Sequence, residues 1–353
     1  MRRIKFFDKI AAGFLSVTLL FAVANPTQAA EKSSSDKKII INIASRALAF
    51  YDGGERKGLY PLGLGKVSTP TPTGYYKIQT KEVNPTWIDP ANPEYEIPSG
   101  ANNPLGYRWM RIWGNYGIHG TNKPDSIGHY ASNGCIRMRE EDVEKLFDEV
   151  EIGTPVEITY NRVVVEKIPD DNVVYYIYPD GYKMQKLNVA AVRKWLAPFG
   201  VSNFESDANI LQKIKDSDGK PTYIGKIYSV EVDGKKIEPV ESEGRKFVAK
   251  AVIREGITYL PAVPIALALQ SRIEWRPNES TLKTYHGEVT AYERGDQLYC
   301  NADDAIILFN IDGGLQNLTA NPADGKIFRF TTVPDVIEEP SESEILEEKI
   351  EQN

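Results

Sequence analysis

Two cysteines and three histidines are all that the 353 residues contain. So small a stock excludes a disulfide-stapled scaffold, which packs cysteine densely into a short chain. It leaves little for zinc: His119, His129 and Cys135 form a conceivable ligand set, but their spacing fits no ordinary zinc pattern. Positive charge is outnumbered as well, with 42 Lys and Arg against 49 Asp and Glu. The formal net charge is −7 and no basic stripe runs along the chain, so no nucleic-acid partner is expected. Beyond residue 24 no apolar run approaches the ~20 residues that a membrane-spanning helix needs. With neither staples nor metal, the fold must be held by burial. A hydrophobic content of 41% with 26% charged residues is ordinary for that, and the length points to two or three domains.

The two ends stand apart from the middle. Arg2, Arg3, Lys5 and Lys9 precede an almost wholly apolar run from Ile10 to Ala24, then Pro26 and the small residues Ala29 and Ala30. This is the pattern of a secretory signal peptide over residues 1–30, rather than of a membrane anchor, for which the run is short. No cysteine lies near the cleavage position, so a lipoprotein signal is not expected. A secreted, extracellular protein is. At the other end, residues 336–353 hold seven Glu and one Lys and read as an acidic, disordered tail.

Between them the expected fold class is mostly β with a few helices. Short strands are predicted over Ile39–Ile43 and Ala47–Tyr51, closed by Asp52-Gly53-Gly54, and again over Leu59–Gly65 and Gly74–Gln79. Residues 84–106, rich in Pro, Asn and Gly, read as a long irregular segment, and Arg108–His119 as one strand. Val143, Leu146, Phe147 and Val150 recur at helical spacing. These elements define a β-rich domain over residues 38–165. Residues 166–222 read as a linker or extension, with a strand candidate at Val173–Tyr178 and a helix candidate at Val189–Phe199. Residues 223–330 form a second, α+β domain, whose Val232-Asp233-Gly234-Lys235 carries a hairpin signal.

The chemistry gathers in Tyr116-Gly117-Ile118-His119-Gly120-Thr121 and Ser132-Asn133-Gly134-Cys135-Ile136-Arg137-Met138. A thiol with a pKa near ~8.5 is mostly protonated at neutral pH and needs a base beside it. Histidine can take that proton and return it. A glycine before the nucleophile lets the backbone turn its N–H groups toward a developing oxyanion.

This segment strongly resembles the L,D-transpeptidase catalytic domain of the YkuD type. The likeness rests on Ile118–Thr121, Ile127-Gly128 and Ser132–Met138, with further landmarks at Thr71–Gly74, Asn103–Gly106 and Gly153–Val156. The resemblance implies Cys135 as nucleophile and His119 as general base and then acid. It implies that the Gly120 carbonyl orients His119, and that the N–H groups of Gly134 and Cys135 bind the oxyanion. Arg137, Ser132, Asn133 and Thr121 are the expected substrate-binding residues. Asn133 departs from the many members that carry His at this place. The implied reaction joins peptidoglycan stem peptides by 3→3 cross-links with release of D-Ala, at the cell wall and without cofactor or metal. Water as acceptor would make the same residues an L,D-carboxypeptidase. A non-catalytic wall-binding protein is the remaining alternative.

The second domain resembles the copper-amine-oxidase N-terminal-like, or stalk, domain through Val232–Lys235, Thr258–Pro261 and Glu274-Trp275. No copper ligand set accompanies that likeness. Cys300 lies in an apolar strand-like run of that domain and reads as a buried thiol, not as a disulfide partner of Cys135. The placement of every motif in residues 38–165 predicts that this part folds and acylates by itself.

Overall fold

The computed structural model describes residues 36–242 and 244–334; the signal peptide expected over residues 1–30 and the tail expected over 336–353 lie outside the described residues. The architecture is mostly β.

The first unit comprises β1 (Lys38–Asn42), β2 (Ala47–Asp52), β3 (Glu55–Pro61), β4 (Leu64–Gly65), β5 (Gly74–Lys77), β6 (Thr80–Val83), β7 (Trp87–Asp89), β8 (Asn92–Ile97), β9 (Arg108–Trp113), β10 (Tyr116–His119), β11 (Tyr130–Ser132), β12 (Ile136–Arg137), α1 (Glu140–Glu149) and β13 (Pro155–Thr159). One sheet has the order β3-β2-β1-β13-β5 and another β12-β10-β9-β6, while β4 pairs with β11. Strand side chains alternate between faces. Ile39 and Ile41, Leu48 and Phe50, Val156 and Ile158, Met110 and Ile112, Ile118 and Ile136 accordingly enter one core. Each such side chain stabilises the fold by about 1.5–3 kcal/mol on burial. Helix α1 adds Val143, Leu146 and Phe147, the apolar stripe that its spacing predicts.

Two local expectations change. Arg108–His119 is not one strand: Gly114 at φ +49° turns the chain, so β9 and β10 form an antiparallel hairpin. A Trp- and Ile-rich run hides that break because only Gly114 and Asn115 interrupt it. Residues 84–106 are not wholly irregular either, since β7 and β8 pair within them. Asp89 Oδ1 accepts the Ala91 N–H at 2.9 Å and tightens the turn.

Residues 166–222 are a folded part, not a linker. β14 (Val163–Lys167), β15 (Asn172–Ile177), α2 (Val189–Leu196), α3 (Asp207–Asp216) and β16 (Thr222–Val232) enclose a core of Val163, Tyr175, Val192, Leu196, Phe204 and Ile210. Tyr259 and Tyr299 reach the same core from much later in the chain. β16 pairs with β15, with Lys250–Arg254 and, in parallel, with Lys326–Thr332, so one sheet continues through residue 222. A third core holds Cys300, which is fully buried; it and the partly exposed Cys135 are both free thiols.

Candidate active site

Parallel pairing of β10 with β12 sets the site. Ile118 lies opposite Ile136, and His119 opposite Arg137. Ile118 and Ile136 are fully buried in the core. By alternation, Gly117, His119, Cys135 and Arg137 share the other face. Cys135 comes one step before Ile136 and is therefore level with Gly117, two residues along the neighbouring strand from His119. Strand spacing and rise give roughly 8 Å between the Cα positions of Cys135 and His119.

His119 is 3% exposed, with its ring tilted against Trp109 at 5.6 Å. Its Nδ1 lies 2.6 Å from Gly120 O. A carbonyl only accepts, so Nδ1 carries the hydrogen and Nε2 is left as the basic nitrogen. Burial pushes the imidazole pKa down to about 4; the Gly120 hydrogen bond opposes this and the nearby Arg137 charge adds to it. Burial raises the Cys135 thiol, against a Gly117 backbone hydrogen bond and the Arg137 charge, which both favour thiolate. The resting pair is thus thiol and neutral imidazole. The thiol donates to Asn115 O at 3.5 Å, at the hairpin turn, and not to His119. A proton transfer from this thiol to the imidazole would require Cys135 Sγ to leave the Asn115 carbonyl and rotate toward His119.

The loop that carries Cys135 is braced from within. Ser132 is 2% exposed; its Oγ donates to Cys135 O at 2.6 Å and accepts the Gly134 N–H at 3.1 Å. Ser132 thus shapes the turn and is not free to meet substrate. Gly134 takes φ +115°, and a Cβ there would lie 2.4 Å from the Tyr116 ring, so glycine is required twice over. Asn133 is exposed at the tip of the turn. Thr121 is also buried, its Oγ1 accepting the Lys123 N–H at 3.1 Å, so it too braces its loop. Arg137 is half-buried beside Cys135 and His119, and its Nε is buried without a hydrogen-bond partner. That makes it the side chain best suited to an incoming anion.

Sequence reasoning missed Asn115, Glu140 and the role of Thr71. Glu140 opens α1, where its carboxylate accepts the Thr121 N–H at 2.6 Å and the Tyr107 N–H at 3.1 Å. A Cβ on Gly120 or Gly106 would fall 2.0 or 1.8 Å from its Oε1. The carboxylate thus fills a slot between two glycines and fixes the peptide whose carbonyl holds His119. Glycine at 106 and at 120 was the available signal. Thr71 Oγ1 donates to Gly134 O at 2.9 Å across 63 residues of chain, which no local pattern announces.

Comparison with known proteins converges on this region. The sequence profile of YkuD, the L,D-transpeptidase catalytic domain, matches residues 36–158. YcfS of Escherichia coli (strain K12), an L,D-transpeptidase by name, is 35% identical over 162 residues, covering 41% of this chain and 51% of that protein. YkuD of Bacillus subtilis (strain 168), named for the same activity, is 32% identical over 170 residues, covering 44% of this chain and 93% of that protein. The chain spans about half the length of YcfS and of the ErfK/SrfK protein of Salmonella typhimurium, but nearly all of YkuD. A crystal structure of an Enterococcus faecium L,D-transpeptidase mutant aligns at 28% identity and a TM-score of 0.31, over 35% of this chain and 49% of that one.

Proposed function

This chain belongs to the L,D-transpeptidase family, and from that premise we propose that it is a cysteine acyltransferase forming 3→3 cross-links between peptidoglycan stem peptides. The observation that carries the reading is the shared sheet face of Cys135, His119 and Arg137, set by the β10–β12 register. His119 Nε2 takes the thiol proton as sulfur adds to the donor carbonyl, whose π electrons move to oxygen. The N–H groups of Gly134 and Cys135 receive that oxyanion. Collapse of the adduct breaks the C–N bond, and D-Ala leaves with the proton returned by His119. An amine from a second stem then attacks the thioester and regenerates the thiol. Arg137 receives the carboxylate of the donor peptide. Residues 1–30 direct export, the enzyme works at the cell wall, and the C-terminal part serves as a stalk-like positioning domain.

The test is mass spectrometry of disaccharide tetrapeptide fragments incubated with the enzyme. Dimers linked 3→3, with loss of D-Ala, are expected. Tripeptide without dimer would assign carboxypeptidase activity instead, and no adduct at Cys135 would remove the cysteine mechanism. Cys135→Ala should abolish product while leaving the circular dichroism spectrum and melting temperature near wild type, because it shortens only a partly exposed side chain.

A further inference from the structure

The family profile ends at residue 158, yet the catalytic core does not. Tyr182, 24 residues further on and 9% exposed, is buried in that core among Tyr160 and Tyr130. Its ring stacks on Tyr160 at 5.7 Å and lies tilted to Tyr130 at 4.9 Å. Its hydroxyl donates to Gly65 O at 2.6 Å and accepts the Thr71 N–H at 3.2 Å. Thr71 Oγ1 in turn accepts the Gly65 N–H at 3.0 Å and donates to Gly134 O at 2.9 Å. One phenol thus pins the 65–71 loop, and that loop grips the carbonyl just before the nucleophile.

The gripped carbonyl belongs to the Gly134–Cys135 peptide. In a trans peptide the C=O and the N–H point in opposite directions. Holding Gly134 O toward Thr71 therefore aims the Cys135 N–H away from it, toward the position where an oxyanion would form. Ser132 fixes the flanking groups, Cys135 O and Gly134 N–H, but does not touch this peptide's carbonyl. The orientation of the Gly134–Cys135 peptide rests on Thr71.

The loop that delivers Tyr182 is itself rigid. Asp180 Oδ1 accepts the Tyr160 hydroxyl at 2.7 Å and the Met184 N–H at 2.9 Å, and the Tyr182 N–H donates to the Tyr160 hydroxyl at 2.9 Å. Buried Arg162 binds Tyr178 O at 2.9 Å, Gln185 O at 2.7 Å and Ser217 Oγ at 2.7 Å. Ser217 follows α3 directly, so the same network reaches the middle part of the chain.

We propose that Tyr182, acting through Thr71, is a positioning residue that aims the Cys135 N–H at the oxyanion, so that segment 178–185 is part of the catalytic machinery. The inference rests on Cys135 being the acylated nucleophile.

Two reactions of the same thiol separate this role from a merely structural one. Alkylation by iodoacetamide is a displacement with no oxyanion, whereas acylation by an activated ester passes through one. Tyr182→Phe keeps the ring stacking and removes the hydroxyl; Thr71→Val removes the grip on Gly134 O, and Thr71→Ser retains it. In the full chain, Tyr182→Phe and Thr71→Val should acylate roughly 10-fold more slowly, a fraction of the ~10²–10³ that loss of an oxyanion donor costs. Alkylation rates should stay within about twofold, and Thr71→Ser should acylate like wild type. Equal falls in both reactions, or unchanged acylation in either hydroxyl-lacking variant, would overturn the proposal. The ester probe does not depend on wall peptides. If wild type forms no ester-derived adduct at Cys135, the nucleophile assignment itself fails, and that outcome is distinct from the others.

Discussion

Burial drives the two groups proposed to react in opposite directions, lowering the basicity of His119 and raising that of the Cys135 thiolate. Both shifts disfavour a preformed thiolate–imidazolium pair, and under the proposed mechanism proton transfer accompanies attack. Alkylation of Cys135 should rise continuously from pH 6 to beyond pH 9; a plateau between pH 5 and 7 would reveal an ion pair instead. The same shift couples to stability. The folded imidazole titrates near 4 and the unfolded one near 6.5, so the unfolded state binds the extra proton between those values. Stability contributed by neutral His119 is complete above pH 6.5 and falls by about 1.4 kcal/mol per unit as pH drops toward 4. Urea midpoints for wild type and His119→Gln over pH 4–7 measure this: the variant should lack that part of the slope. Cys300, by contrast, is pushed up to about 12 by complete burial and is inert.

At the level of elements, α1 is more than a covering helix. Its first residue supplies the carboxylate that satisfies Thr121 and Tyr107 N–H groups, so the helix start anchors the strand end that carries His119. Glu140→Gln can offer an oxygen to one of these donors but turns an NH2 group toward the other. Such a mismatch should destabilise the fold by about 1–3 kcal/mol. It should also lower kcat more than it raises KM, because it loosens the imidazole and not the substrate. Chemical denaturation and steady-state kinetics on the same preparation would check both; an unchanged kcat would show that Gly120 holds its place without Glu140. The β9–β10 hairpin acts comparably on the thiol, since its turn presents the Asn115 carbonyl that holds Sγ at rest.

Across the whole molecule, the catalytic core and the segment after it are interlocked. Tyr178 packs against the first core and Tyr182 lies within it, while Arg56 pairs with Glu166 at 2.9 Å across the two parts. These contacts bear on the expectation that residues 38–165 suffice. A chain truncated after residue 165 loses the Tyr182 ring and hydroxyl and exposes the apolar surface of Tyr130 and Tyr160. Removing a buried aromatic of this kind costs about 3–5 kcal/mol, enough to erase much of a domain's stability. The truncated chain should melt well below the full chain, or be insoluble, in differential scanning calorimetry. A melting temperature and acylation rate equal to those of the full chain would show that the segment is dispensable.

The sequence by itself determined the family and the kind of fold, and it names the residues expected to react. The Cys135 and His119 motifs are local strings, and the 2- and 3.6-residue periods of strands and of α1 are set by chemistry between near neighbours. The Asp233-Gly234 turn was equally legible: both residues take positive φ, as a two-residue hairpin turn demands. Tertiary structure alone decided who supports those residues. Thr71 and Gly134 are 63 positions apart, Tyr182 and Gly65 117, and Glu140 and Thr121 are brought together only when α1 docks on the hairpin. Tertiary structure also decided that Ser132 and Thr121 brace loops, because burial is a property of the packed whole. Periodicity reports which face of an element is apolar; it carries no information about which distant element covers that face.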